Sequence, residues 1–276
     1  MSVYYPAQMM SHSQSLISGL HGFAMALYLL ATLFYLLRHI LSSTRLGALG
    51  LRSVLLASVV QIILFIGRFA SGLPLFETLS DYFQLSAVVL AMSYVVLCFT
   101  KRFYSAGLLF LAPINLLLIL SFIPNEGLSI SQAAPGHGYL FLHLVSIFLS
   151  LPIFCVAFVS AVMFLMLEQK IKSKHLSGLV SRFPSLAVLE EIHYRSIYVA
   201  FLLFTFVIFS GAGYAKMMTG HYITGDLKQI LSVLSWVLLA VFLNFRVSQG
   251  WQGHKGIILS FAGFASVLLL FIVGLT

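Results

Sequence analysis

Two histidines that stand inside long apolar runs are the side chains of this sequence best suited to hold a metal centre. His21 lies in the first run, and His143 heads the segment HLVSIFLSLP, in which Ser146 and Ser150 follow it at helical spacing. A titratable side chain is costly in such a run and usually faces an internal partner or a cavity. A neutral imidazole among apolar neighbours is a natural ligand for haem iron. Spacing alone favours a plainer interpretation, in which His143 is a buried residue hydrogen-bonded to a neighbouring helix.

A second group of polar residues lies in the connection GAGYAKMMTGHYITGDLKQ, between two apolar runs. It carries His221, Tyr222 and Asp226, and Gly220 and Gly225 loosen its backbone. An amphipathic segment with a lone carboxylate is one way to bind a ligand at a membrane surface. The same pattern is typical of an ordinary interfacial loop, which is the interpretation that the pattern alone favours.

Arg68 is a third candidate, because it stands near the end of an apolar run, shortly before Gly72. An unpaired guanidinium is costly in that position. We expect Arg68 to pair with Glu77, with Asp81 or with a carboxylate of a bound haem.

The other histidines and the cysteines carry weaker signals. Because their surroundings are rich in Lys and Arg, we expect solvated or headgroup contacts for four histidines, which are His39, His175, His193 and His254. Cys98 and Cys155 lie inside apolar runs, and the sequence has neither CxxC nor CxxCH. It therefore predicts no redox pair, no zinc knuckle and no covalent haem attachment to this chain.

Membrane-spanning helices must position these residues. The 276 residues are 61% hydrophobic and 8% charged, whereas soluble chains are about 25% charged. The apolar runs have the length that crosses a bilayer. We predict an all-α integral membrane protein, a bundle of about eight transmembrane helices that forms one polytopic domain over 1–276. The predicted spans are 16–37, 53–73, 82–100, 104–123, 138–167, 195–215, 229–247 and 256–275.

The basic residues predict the orientation of these spans, because loops on the cytoplasmic side carry an excess of Lys and Arg. Of the 15 basic residues, the loops after even-numbered spans hold only Arg68, Lys216 and Lys228. Both termini are therefore predicted on the outer side. Membrane topology explains the net charge of +8, so we expect a lipid environment and no nucleic-acid partner. No cleavable signal peptide is expected, since the first 15 residues lack Lys and Arg.

Several segments, in the same order, resemble the cytochrome c assembly membrane-protein family, in particular its HemX-like and CcsA-like branch. The resemblance begins near Arg68, and it is carried by GRFASGLPLFETLSDYF, LLFLAPINLLLILSFIP, LHLVSIFLS, LEEIHYRSIYVAFLLFTFVIFSGAGYA and LSVLSWVLLAVFLNFR. It implies that His143 takes the place of the external haem-ligand histidine of this family.

The sequence departs from that family in its tryptophan-rich external segment, which here reads TGHYITGDLKQ. Tyr222 and Asp226 match the family pattern, and Asn244 replaces a histidine of the seventh span. Four other residues stand where tryptophan is expected, namely Thr219, Ile223, Gly225 and Leu231. The resemblance therefore implies the HemX-like branch, with a shallower haem cradle and an incomplete ligand set.

Together these features predict a haem-handling protein of the bacterial inner membrane that acts by binding and orientation, not as an enzyme. It would present haem near the outer face through His143, with His221 or His21 as the leading candidates for one further ligand. Cytochrome c maturation proteins are the expected partners. The alternative is a regulator or scaffold that contacts a tetrapyrrole-synthesis enzyme through its basic loop, Lys170 to Arg195, without stable haem binding. A solute transporter is disfavoured, because the spans lack paired acidic residues.

Overall fold

The computed structural model describes residues 7–41, 43–73, 75–101, 103–123, 136–174, 183–250 and 252–275, with side chains described from residue 16 to residue 273. Over these ranges the chain is helical and contains no strand. These described ranges contain eight helices that are long and apolar enough to span a membrane, as the sequence predicts. They are α1 (Ala7–Leu41), α2 (Thr44–Ala70), α3 (Leu79–Lys101), α4 (Gly107–Ser121), α5 (His137–Lys172), α6 (Leu186–Thr219), α7 (Leu227–Ser248) and α8 (His254–Leu275).

Helices α5 and α6 extend well beyond the apolar windows that predicted them. At the end of α5, Lys172 pairs with Glu168 at 2.8 Å, and near the start of α6, Arg195 pairs with Glu191 at 2.7 Å. Pairs at this spacing stabilise helical turns in water, so the helices continue after the apolar residues end. The predicted connection from Glu168 to Tyr194 is correspondingly shorter. The predicted loop residues His175 and Arg182 lie outside the described residues.

The chain divides into two compact units. The first consists of Met1–Val96 and Gly107–Pro124, and in it α1 packs against α2 and α4. His21, Tyr28 and Tyr35 of α1 are buried at seven-residue spacing. Tyr28 donates a hydrogen bond to Gln61 at 3.0 Å, and the hydroxyls of Tyr35 and Tyr94 lie 2.5 Å apart. Polar contacts between helices thus accompany apolar packing inside this unit.

The second unit consists of Leu97–Ala106 and Asn125–Thr276. Within it α5 packs along α6, and α7 packs against α8. Ala157 and Ala200 let the α5 and α6 backbones approach closely, while Phe154, Phe204 and Phe242 fill the remaining space of the same buried cluster. The prediction of one membrane domain over 1–276 stays a prediction.

Candidate functional site

The α5–α6 contact holds His143 through one of its two ring nitrogens. Nδ1 of His143 lies 2.8 Å from the carbonyl oxygen of Val207 on α6. A carbonyl oxygen only accepts, so Nδ1 carries the hydrogen and donates it. In the neutral ring Nε2 is then unprotonated, with its lone pair available to a ligand.

A cavity of about 730 Å³ lies beside this histidine, within the range of small-molecule and cofactor sites. One wall is α6 and another is α7, and the connection between them closes one end. Apolar side chains dominate the two helical walls. The lining residues are His143, Val207, Ile208, Gly211, Ala212, Ala215, Tyr222, Ile223, Thr224, Gly225, Asp226, Lys228, Gln229, Ile230, Ser232, Val233, Leu234 and Val237.

The connection that closes the cavity is tied to the first turn of α7. Asp226 caps this helix: its Oδ1 accepts the backbone N–H of Gln229 at 2.7 Å, and its Oδ2 accepts the Thr224 hydroxyl at 2.7 Å. The Gln229 side chain accepts from the backbone of Thr224 at 2.8 Å and donates to the Tyr222 carbonyl at 2.8 Å. Both carboxylate oxygens of Asp226 are therefore engaged in shaping the loop.

These contacts also affect the pKa of Asp226. The hydrogen bond from the Thr224 hydroxyl, and after it the one from the Gln229 N–H, hold the pKa of Asp226 below its ordinary value. The capped loop is consequently stabilised at neutral pH, where the carboxylate is charged.

Two lysines near this loop differ in what they contact. Lys216 donates to the Gly220 carbonyl at 2.6 Å, and its ammonium lies 5.3 Å from the centre of the Tyr222 ring. Lys228 is exposed and lines the cavity. Lys228 therefore supplies positive charge at the polar end of an otherwise apolar wall.

Trp236 joins α7 to α6 at the other end of the cavity. Its ring nitrogen donates to the Thr205 hydroxyl at 3.0 Å, and its ring stacks on Phe201 at 5.4 Å. Both contacts lie directly beside the lining residues Val207 and Val237. The lining residues of α7 thus extend from the capped loop to Val237, which follows Trp236.

Comparison with known proteins identifies the family. Residues 18–276 match the family model described as cytochrome C assembly protein. The chain belongs to this family. Together with its eight long apolar helices, this membership makes it a multi-pass membrane protein, and it confirms the resemblance found in the sequence.

Several similar curated proteins have the printed name cytochrome c biogenesis protein CcsA. The one from Prochlorococcus marinus (strain AS9601) is 38% identical over 84 residues, which are 30% of this chain and 27% of that protein. The one from Mesostigma viride is 33% identical over 85 residues, 31% of this chain and 28% of that protein. Each match thus spans roughly a quarter of the relative. No solved structure matches this chain. These comparisons do not support the regulatory alternative.

In this family member His143, Tyr222 and Asp226 line one cavity, although they were singled out from two separate segments of the sequence. His221 lies in the same exposed connection and is not among the lining residues. Sequence reasoning missed Gln229 and Gly211. The spacing of Asp226 and Gln229, that of a capping box, was the available signal for Gln229.

His21 and Arg68 belong to the first unit. His21 is buried, its Nε2 lies 3.0 Å from the Ser121 hydroxyl, and its ring packs against Phe122 at 4.7 Å. Arg68 forms a bidentate pair with the buried Asp81. This is one of the pairings predicted for Arg68, and it is confirmed. A role for His21 or Arg68 in holding haem stays a prediction.

The expectation for His193 was wrong. This residue is fully buried in α6, its Nδ1 donates to the Ala157 carbonyl at 2.9 Å, and its ring is surrounded by Tyr194, Phe242 and Phe264. The error arose because α6 begins at Leu186, well before the predicted span. His193 shares a buried face at helical spacing with four residues, which are Leu189, Ile197, Ala200 and Phe204. That periodicity was the signal that could have revealed its burial.

A charged cluster closes the second unit at the His193 end. Arg246 of α7 pairs with Glu190 of α6 at 3.0 Å and lies 4.0 Å from the centre of the Tyr194 ring. Glu190 also accepts the backbone N–H of Gly253, just before α8, at 2.9 Å. These contacts join α6, α7 and the start of α8.

Proposed function

We propose that this cytochrome c assembly protein binds haem in the cavity between α6 and α7, with Nε2 of His143 as an iron ligand. One observation carries the proposal: His143 lines the cavity while its Nδ1 donates to the Val207 carbonyl. A metal-ligating histidine almost always donates its second ring N–H to a carbonyl, a carboxylate or water, which orients the ring and raises its basicity.

The remainder of the cavity suits the shape and polarity of haem. Haem has a flat apolar body and two carboxylates at one edge. Apolar residues of both helices, among them Ile208, Val233 and Leu234, would cover the body. Lys228 stands at the polar end, where a carboxylate would find a positive charge.

In this proposal the chain binds and orients haem and performs no covalent chemistry. When bound, haem would supply an iron centre that can accept the lone pair of an imidazole nitrogen. The apolar walls would cover the porphyrin, the Val207 carbonyl fixes the ring of His143, and the capped loop holds Lys228 at the polar end of the cavity. The named relatives are cytochrome c biogenesis proteins, which supports presentation of haem to a cytochrome c maturation partner. His221, in the connection beside the cavity, is the candidate for a second ligand within this unit.

We further propose that the cavity end of the second unit faces the outside of a bacterial inner membrane. The opposite ends of its helices carry Lys170, Lys172, Arg246 and Lys255, and positive charge favours the cytoplasmic side. Topology reporters fused at Thr224 should therefore be located outside the cytoplasm, and reporters fused at Ser43 should be located in the cytoplasm. A cytoplasmic signal at Thr224 would reverse the proposed orientation.

Haem titration of the purified protein in detergent tests the binding proposal directly. We expect the unsubstituted protein to give a shifted Soret band with an imidazole-ligated spectrum, and His143→Ala to lose that spectrum at equal folded yield. His39→Ala is the matched control, because His39 is exposed near the end of α1. An unchanged spectrum in His143→Ala would disprove ligation by this residue.

A further inference from the structure

Gly211 lies where a larger residue would collide with the ring of His143. It stands one turn after Val207 on α6, and it lines the cavity. A Cβ at position 211 would lie 2.9 Å from Cε1 and 3.1 Å from Nδ1 of His143. The first distance is shorter than real Cβ contacts, so any side chain at position 211 would push the ring away from the Val207 carbonyl.

We infer that Gly211 is the positioning residue of this site, and that with the Val207 carbonyl it makes the cavity selective for metalloporphyrins over metal-free porphyrins. We call Gly211 and the Val207 carbonyl the imidazole seat. The inference rests on the proposed function, because it concerns which tetrapyrrole the same cavity takes.

The imidazole seat acts by fixing one tautomer of a neutral ring. Either ring nitrogen can carry the hydrogen in a free neutral imidazole, whereas a carbonyl partner requires it on Nδ1. Nε2 then offers a lone pair, which a metal ion can accept. If the ring moves away from the carbonyl, both its orientation and the fixed tautomer are lost. Losing such an outer contact typically weakens metal affinity about 10–100-fold.

Selectivity follows from what each ligand offers to Nε2. A metalloporphyrin presents a metal at its centre, and the apolar walls and Lys228 contribute to its binding as well. A metal-free porphyrin gains the same contacts from the walls and from Lys228 but has no metal for the lone pair. The imidazole seat should therefore affect the affinity for metalloporphyrins alone.

Gly213 provides a matched control on the same helix. A Cβ at Gly213 would lie 2.5 Å from the Tyr139 ring, so Gly213→Ala disturbs the α5–α6 contact at least as severely as Gly211→Ala. Gly213 is not among the cavity-lining residues. A general loosening of the two helices would therefore appear in both variants, whereas loss of the imidazole seat would appear only in Gly211→Ala.

The first test compares the affinity of haem with that of metal-free protoporphyrin, by fluorescence quenching of the purified protein in detergent. We expect haem to bind more tightly to the unsubstituted protein and to Gly213→Ala. We expect Gly211→Ala to lose about 10–100-fold in haem affinity, His143→Ala to lose at least as much, and both variants to keep their affinity for protoporphyrin. Equal haem affinity in Gly211→Ala and the unsubstituted protein would overturn the inference.

The second test needs no ligand, so it separates the inference from the proposed function. In the haem-free protein with ¹⁵N-labelled histidine, NMR should show the Nδ1–H tautomer for His143, assigned by its loss in His143→Ala, and a mixture of tautomers in Gly211→Ala. A preserved Nδ1–H tautomer in Gly211→Ala would overturn the role of Gly211. If the unsubstituted protein bound neither porphyrin, the haem proposal and the selectivity would fail, while this measurement would still decide whether Gly211 positions the ring.

The double variant Gly211→Ala/His143→Ala provides a test if Gly211→Ala alone does not fold. When His143 is also alanine, a methyl group at position 211 has no ring to collide with. Added imidazole should restore the ligated haem spectrum in His143→Ala, because the vacated space beside Gly211 accepts it. The restoration should be several-fold weaker in the double variant, and equal restoration in both would contradict the inference.

Discussion

The two ends of the α5–α6 pair use the same contact for different purposes. His143 of α5 donates to the Val207 carbonyl of α6, and His193 of α6 donates to the Ala157 carbonyl of α5. The two contacts are about four helical turns apart on each helix. His143 opens onto a cavity, whereas His193 is enclosed. A hydrogen bond from a histidine of one helix to a carbonyl of the other therefore joins the helices but does not by itself mark a ligand site. The residues around the ring determine whether it can also bind a ligand.

Helix α7 creates this difference. At the His193 end α7 packs on α6, with Phe242 stacked on Tyr194 and Arg246 paired with Glu190. From Trp236 towards the start of α7, residues of α6 and α7 instead line the cavity. We call the packed His193 end of these helices the rigid end. It should hold the end with the cavity in place. Substitutions at the rigid end should reduce stability, and substitutions at the cavity should reduce ligand affinity.

The largest stability effect is expected from breaking the ion pair at the rigid end. Glu190 bonds both Arg246 and the Gly253 N–H, and its side chain is 17% exposed. Removing one partner of a buried pair costs about 3–5 kcal/mol, so Glu190→Ala at this partly exposed site should lower the free energy of unfolding by about 2–3 kcal/mol. Chemical denaturation in detergent measures this change.

Glu191→Ala is the control for Glu190→Ala. The Glu191 side chain is 38% exposed and pairs with Lys101 and Arg195 at the surface, where an ion pair contributes about 0–1 kcal/mol. Similar losses in the two variants would contradict the importance assigned to the rigid end.

The second prediction compares the two histidines directly. His193→Ala removes a buried hydrogen bond and leaves the Ala157 carbonyl without that donor, which should cost about 1–3 kcal/mol of stability. Haem affinity, measured at a temperature where the variant is folded, should stay unchanged. His143→Ala should show the opposite behaviour, with haem ligation lost and a smaller change in stability. A loss of haem ligation in folded His193→Ala would erase the distinction between the two ends.

The length and apolar character of the runs predicted the eight helices, and burial in an apolar run singled out His143. The helix ends and the environment of His193 were not predictable in the same way, because polar helical turns continue beyond the apolar windows. Gly211 could not be identified from the sequence, because its importance depends on the His143 ring, which packs against it from another helix. The engagement of Asp226 by Thr224 and Gln229 likewise appears only once the loop is folded.

The third prediction concerns Lys228 and has a smaller expected effect. An exposed ion pair contributes about 0.2–1 kcal/mol, so Lys228→Ala should weaken haem binding by about 1.4- to 5-fold. The loss should shrink at high salt and should be absent for the haem dimethyl ester, which has no free carboxylates. Lys216→Ala is the control, because Lys216 contacts Gly220 and Tyr222 instead. Equal losses for haem and its ester would exclude a carboxylate contact.

The smallest effect is expected from the titration of Asp226. Its pKa is lowered in the folded protein, first by the Thr224 hydroxyl and then by the Gln229 N–H. The charged carboxylate therefore stabilises the capped loop at every pH above its unfolded pKa, and this contribution disappears as the pH falls through the folded pKa. Protection factors of the 222–229 amides, which correct for the pH dependence of intrinsic hydrogen exchange, should fall in acid, while those of amides around His193 stay high. Asp226→Asn should show low protection factors for the loop already at neutral pH and no further decrease in acid. If the loop amides had the same protection factors in both proteins between acid and neutral pH, the Asp226 cap would not be responsible for the order of the loop.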